Sequence, residues 1–231
     1  MSGKSVKSSK TKLVKSSTEK TKTTDQFFGK PAFKRLCYAA GVSTVGKELY
    51  DNVMIATEQI TYYLLRSACA SSSLSSRKTL NENDLSFACQ VNNTPLLSSA
   101  DKIERIKIKS TTSSTSEKKK TATRATLSNR KIRFYQKESV GKIMFSSTPF
   151  IRKFKELMES RKDELMFSND ELPRMTKNFK VLLQLTVQTI LIRIISSAYI
   201  STCLFDPKRK GVNSKTFKHA TTDHFGGKIK F

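Results

Sequence analysis

RKTLNENDLSFA, at Arg77–Ala88, returns 132 residues later as RKGVNSKTFKHA, at Arg209–Ala220. Each stretch opens on a basic pair and continues with an apolar residue, Asn, an apolar residue and Ala at one spacing. Such a repeat has to be explained before any other feature is read. Asn is a favoured helix N-cap, so each copy reads as a basic loop followed by a short helix. In the first copy Leu85, Ala88 and Cys89 form the inward face of that helix.

Working outward, a second match lies upstream of each copy. KPAFKRL at Lys30–Leu36 parallels TPFIRKF at Thr148–Phe154, each with a basic pair three and four residues after Pro and an apolar residue next. Pro31 suits a first helical turn and Gly41 a stop. Between these landmarks Val45–Ser75 carries Leu49, Val53, Ile60 and Leu64 at helical spacing, which predicts a long helix of roughly 28 residues. The pattern is short helix, long helix, short helix, twice. The interval from Pro to Arg is 46 residues in the first copy and 60 in the second. The surplus falls around KDELMFSNDELPRM, where Ser168 and Glu171 read as a capping box that would leave Pro173 inside a helix. NRKIRFYQK, at Asn129–Lys137, has no counterpart in the first copy and reads as an additional basic helix.

A unit of this kind is too thin to bury its own central helix, whereas two clasped units cover each other. The expected fold is therefore all-α, with one unit over 29–92 and a second over 129–225. A basic disordered tail (1–28), a polar basic linker (93–128) and a short C-terminal tail (226–231) complete the chain. The 231 residues include 43 Lys and Arg against 19 Asp and Glu, a net charge of +24. A charge of that size favours a polyanionic partner. The first 25 residues hold seven Lys against Glu19 and Asp25, or +5, and cannot bury a core.

The residues resemble core histones. KPAFKRLCYAAGV, GKELYDNV and RKTLNENDLSFA are similar to the H-four class, in its order and spacing. NRKIRFYQK, TPFIRKFKELM and the DELMF loop are similar to the H-three class, including its extra N-terminal helix. Fusion in this order resembles the histone doublets of marseillevirus-like giant DNA viruses. The resemblance covers about two thirds of the chain and is looser after the start of the second long helix. It implies two histone folds clasped within one chain as a structural DNA-packaging protein, active in the virion and in the host nucleus or a cytoplasmic viral factory. Implied partners are double-stranded DNA, a second copy of the chain, a doublet of the H-two-A and H-two-B classes, and histone chaperones.

In such a clasp the basic pairs recur because each unit contributes one phosphate-gripping loop. Arg77, Lys78 and Thr79 form the first loop site, and Arg209 and Lys210 the second. Lys34, Arg35, Arg152 and Lys153 serve the first short helices, and Arg130, Lys131 and Arg133 the additional helix. Arg77 with Asp84 matches a family pair that braces the loop, whereas Thr216 stands where Arg209 would need its carboxylate. Pairing of two chains is implied through Cys203, Asp206, Thr216 and His219. Cys203 matches the family's cysteine, but Asp206 and Thr216 stand where the family has His and Asp. Thr44 and Met166 stand where the two classes carry a first-loop arginine.

Other classes fare worse. SGKS at Ser2–Ser5 lacks the upstream glycine, strand and helix of a phosphate-binding loop. His219 and His224 have no Cys or acidic partner at motif spacing, so neither catalysis nor a cofactor is expected. The four cysteines, Cys37, Cys69, Cys89 and Cys203, show no metal-ligand spacing and read as small buried residues. No signal peptide is visible at the N-terminus. Val181–Ile200 is long enough to span a bilayer, but it carries Gln184, Gln188 and Arg193, and a buried long helix is equally apolar. A histone-fold transcription or chromatin factor that binds DNA without wrapping it is the alternative. Such factors can be near neutral, whereas this chain keeps 24 − 5 = +19 without its tail.

Overall fold

A computed structural model describes residues 26–46, 48–94, 104–105, 124–139, 142–165, 172–206, 208 and 211–231. Among these the chain is mostly helical. In order it forms α1 (Lys30–Ala39), β1 (Thr44–Val45), α2 (Leu49–Leu74), β2 (Thr79–Leu80) and α3 (Glu82–Val91). Then come β3 (Glu104–Arg105), α4 (Arg124–Glu138), β4 (Lys142–Ile143) and α5 (Ser147–Ser160). After a 3-10 turn (Lys162–Leu165) follow β5 (Arg174–Met175), α6 (Lys177–Phe205), β6 (Gly211–Val212) and α7 (Ser214–Phe225).

The helix ends follow from local chemistry. Pro31 sits in the first turn of α1, and Gly41 follows the C-cap of that helix at φ +86°. Asn81 caps α3 by accepting from the Asp84 backbone N–H at 3.2 Å, and the Asp84 carboxylate accepts from the Asn81 N–H at 2.9 Å. Asn213 does the same for α7, accepting from the Thr216 N–H at 2.8 Å. The second long helix opens at Thr176, whose hydroxyl accepts from the Phe179 N–H at 3.1 Å. Pro173 therefore precedes α6, and the expected capping box at Ser168 and Glu171, outside the described residues, does not open it. Half of the second copy's surplus lies in this connection, since residues 161–176 separate α5 from α6 where residues 40–48 separate α1 from α2, and the longer α5 and α6 supply most of the rest. The first long helix starts at Leu49 rather than Val45, because Thr44 and Val45 are extended and paired.

That pairing closes the clasp. β1 runs parallel to β6 with Thr44 opposite Gly211, and β2 runs parallel to β5 with Thr79 opposite Arg174. The first loop of each unit thus lies beside the second loop of the other. A Cβ at Gly211 would lie 2.7 Å from the Thr44 carbonyl oxygen, so this approach requires glycine. The long helices α2 and α6 cross, and their apolar faces belong to one core that also takes residues from α1, α3, α5 and α7.

Three boundaries move. Phe27 and Phe28, expected in the basic tail, are buried. Phe27 packs on Phe150 at 5.6 Å and Phe28 on Phe145 at 5.0 Å between ring centres, and the Tyr50 hydroxyl donates to the Phe28 carbonyl at 2.8 Å. The additional helix begins at Arg124, inside the tract read as linker, and lies across α1 of the first unit with Tyr38 stacked on Tyr135 at 6.0 Å. The same tract pairs Glu104–Arg105 with Lys142–Ile143. The C-terminal segment is packed as well, with Ile229 only 4% exposed.

α6 is long and apolar enough to cross a membrane by composition, but two thirds of its apolar window is buried inside the described fold. Its glutamines explain themselves there. Gln188 accepts from the Met144 N–H and donates to the Lys142 carbonyl, each at 2.8 Å, and Gln184 donates to the Phe145 carbonyl at 2.8 Å. Two buried amides thereby satisfy the extended backbone that leads into α5.

Candidate nucleic-acid interface

The first loop site is assembled as a brace plus a paired edge. Arg77 places Nη2 2.7 Å from Asp84 Oδ1 and Nη1 3.2 Å from Asp84 Oδ2. The Asp84 side chain is fully buried while that of Arg77 is 35% exposed. The carboxylate also accepts from the Ser71 hydroxyl at 2.8 Å, so every lone pair has a donor and the guanidinium is fixed in direction. Lys78 is exposed beside it, and Thr79 is half-buried in β2. Across the pair stands Arg174, exposed, with its N–H bonded to the Lys78 carbonyl at 3.1 Å. Arg77, Lys78 and Arg174 form a basic edge drawn from both units. Arg174 escaped sequence reading because the start of α6 was unplaced; the signal was its position two residues before the cap Thr176.

At the other edge Arg209 and Lys210 lie outside the described residues, as does Met166. Their neighbours Lys208, exposed, and Gly211, paired to Thr44, mark the equivalent place. The counterpart of Asp84 differs as expected. Thr216 bonds with the Asn213 side-chain oxygen at 3.0 Å and accepts from the Thr202 hydroxyl at 3.2 Å, a neutral cluster in place of the carboxylate.

The short-helix cations divide. Lys34 is exposed, but Arg35 is half-buried and its Nη1 donates to the Met144 carbonyl at 2.5 Å. Arg35 thus ties α1 to the second unit rather than pointing wholly outward. On α5, Arg152 Nε is 3.9 Å from Glu156 in an exposed pair that contributes little, and half-buried Lys153 places Nζ 3.2 Å from the same carboxylate. Arg130, Lys131 and Arg133 are exposed on α4, with Lys131 Nζ 6.0 Å from the centre of the Tyr38 ring.

The expected chain-chain contact lies around the end of α6. Asp206 and His219 are exposed, with His219 Nδ1 3.2 Å from Asp223, and Cys203 is half-buried. Thr216 spends its hydroxyl on Asn213 and Thr202, inside the α7 cap. Beside them Ile200, Leu204 and Phe205 are 59%, 77% and 89% exposed. The remaining cysteines are core residues, and burial pushes the Cys37 and Cys69 thiols up to about 12, the latter aided by the Asp84 charge. No cluster of three His, Cys, Asp or Glu side chains fit to hold a metal occurs among the described residues.

The two loops respond differently to loss of their arginine. Arg77→Ala leaves Asp84 short of its charged partner and takes away the phosphate grip expected of this loop. A charge-assisted bond contributes roughly 1.5–3 kcal/mol, less here because the guanidinium is a third exposed. The melting temperature of the DNA-free protein should fall by about 3–5 °C. Arg209→Ala, with Thr216 in the carboxylate's place, should weaken DNA binding and leave melting within about 1 °C. Melting curves and DNA titrations of both variants check this; equal losses of stability would refute the asymmetry.

No protein-family model matches the chain, and no curated protein matches it.

Proposed function

We propose that the chain is a structural DNA-packaging protein, a fused pair of histone folds of the H-four and H-three classes. It forms the central part of a nucleosome-like particle. The observation that supports this most is the reciprocal pairing of loops, β1 with β6 and β2 with β5, in two units with the same helix order. At one of these paired edges Arg77, Lys78 and Arg174 stand together, and exposed Lys208 precedes the other. The net charge of +24 supplies the long-range attraction to DNA. Exposed Arg130, Lys131 and Arg133 on α4 extend the basic surface beyond the loops.

The partners follow from what is left uncovered. Ile200, Leu204 and Phe205 are too apolar for a solvated helix end and suit a second copy of this chain. Leu74, Phe87 and Val91, exposed on α2 and α3, suit a doublet of the H-two-A and H-two-B classes. The setting is chromatin of a virion, host nucleus or viral factory. Nuclease digestion of DNA reconstituted with the chain, alone and with such a doublet, tests the reading. Protected fragments of uniform length are expected; uniform digestion overturns wrapping and leaves the non-wrapping chromatin factor.

A further inference from the structure

The last six residues, GGKIKF, form a device that neither the loop repeat nor the DNA reading uses. α7 ends at Phe225, and Gly226 and Gly227 follow at φ +56° and +76°. Both are left-handed, and nothing lies within 4 Å of where a Cβ would stand. Glycine serves here for the left-handed backbone of a helix C-cap, with the Gly227 N–H bonded to the Thr222 carbonyl at 3.1 Å, and the pair is the corner at which the chain leaves α7. Beyond it the chain runs along α2 of the first unit. The Tyr63 hydroxyl donates to the Lys228 carbonyl at 2.7 Å. Gln59 grips Lys230 on both sides, donating through Nε2 to its carbonyl and accepting from its N–H at 2.8 Å.

Gln59 and Tyr63 are four residues apart and so share one face of α2. They contact alternate residues of the extended segment, which sends Ile229 inward between them. Phe231 then turns back on α7, its ring 6.0 Å from Phe217 and under the Lys218 ammonium at 5.3 Å. The segment therefore touches the first unit with its backbone and the second unit with its last side chain.

We propose that Gly226–Phe231 is a strap that fastens the second unit to α2 and holds the clasp shut. Its hold on α2 is local, one buried side chain and three hydrogen bonds at exposed positions, while the Gly227 and Lys228 N–H groups and the half-exposed Phe231 ring hold to α7. A segment held that lightly opens as a unit well below global unfolding. Lifting it uncovers the Ile229 slot and moves Lys228, which forms one wall of the groove lined by Tyr63, Arg66, Phe87 and Val91. Seated, the strap resists separation of the units; lifted, it lets the second unit's end breathe.

The test uses the full chain without DNA, so its outcome is separate from that of the packaging proposal. Hydrogen exchange is followed in peptides covering 226–231, α7 and the middle of α2. In the native chain the strap should exchange at least about tenfold more slowly than an unfolded segment. Gln59→Ala should remove the protection of the Lys230 amide, the strap N–H that α2 accepts from. Ile229→Asp should remove it too, speed exchange of the Gly227 and Lys228 amides and of α7, and lower the melting temperature by about 5 °C. Lys230→Ala keeps every backbone bond and should change nothing. Unprotected strap amides in the native chain overturn the proposal. So does a strap released by both variants with α7 exchange and melting unchanged.

Discussion

Phe150→Ala is expected to destabilise the DNA-free protein by roughly 3–5 kcal/mol, as large-to-small changes at fully buried aromatics do, and to lower its melting temperature by about 10 °C. Phe150 is fully buried at the start of α5, and its ring packs on Phe27 and on Phe145, each at 5.6 Å. Phe145 in turn meets Phe28. The four rings come from two separate places: Phe27 and Phe28 from the segment before α1, and Phe145 and Phe150 from the connection into α5 and its first turn. A cavity there loosens both at once. The loss should therefore appear in the first unit as much as in the second, and unfolding should remain a single transition. Hydrogen exchange in α3 and in α7 under mild denaturant reads the two units separately. If α7 lost protection while α3 kept all of its own, the units would be stacked neighbours and not one clasped core.

How far the sequence reached can be judged from such residues. The repeat of basic pair, Asn cap and apolar face was legible because caps and helix faces are local chemistry, decided within a few residues. Asn81, Leu85 and Ala88 could be assigned from their spacing alone, whereas Arg77 with Asp84 was legible only through the family resemblance. Phe27 and Phe28 were not legible, since two aromatics at the edge of a Lys-rich tract bury themselves only against partners more than 100 residues away. Arg35 stood in a basic pair like its neighbour Lys34, and nothing local said that the Met144 carbonyl would claim it. Gln184 and Gln188 read as oddities in an apolar helix until the backbone they satisfy was in view. The start of α6 was ambiguous because Ser168 with Glu171 read as a capping box that would have left Pro173 inside the helix, and the cap is instead Thr176, beyond that proline. With that boundary went Arg174.

Binding to DNA should weaken by roughly 10³–10⁵ between 50 and 200 mM salt, the range for six to ten neutralised phosphates at a slope of about −0.9 each. The candidate grips are of that number: the loop edge with Arg77, Lys78 and Arg174, its equivalent with Arg209 and Lys210, and the exposed cations of α1, α4 and α5. None sits on a helix arranged to enter a major groove, so affinity should vary little among sequences. The tail complicates the experiment, because its seven lysines can release counterions without any fold. A variant lacking residues 1–25 separates the two contributions. It retains a net charge of 24 − 5 = +19, and its slope should stay steeper than about −5 if the folded edges hold phosphates. Arg174→Ala in that background should make the slope shallower by about 1, with equal effect on unrelated sequences. A slope near zero once the tail is gone would assign binding to the tail alone and leave the paired loop edges as structure without a ligand.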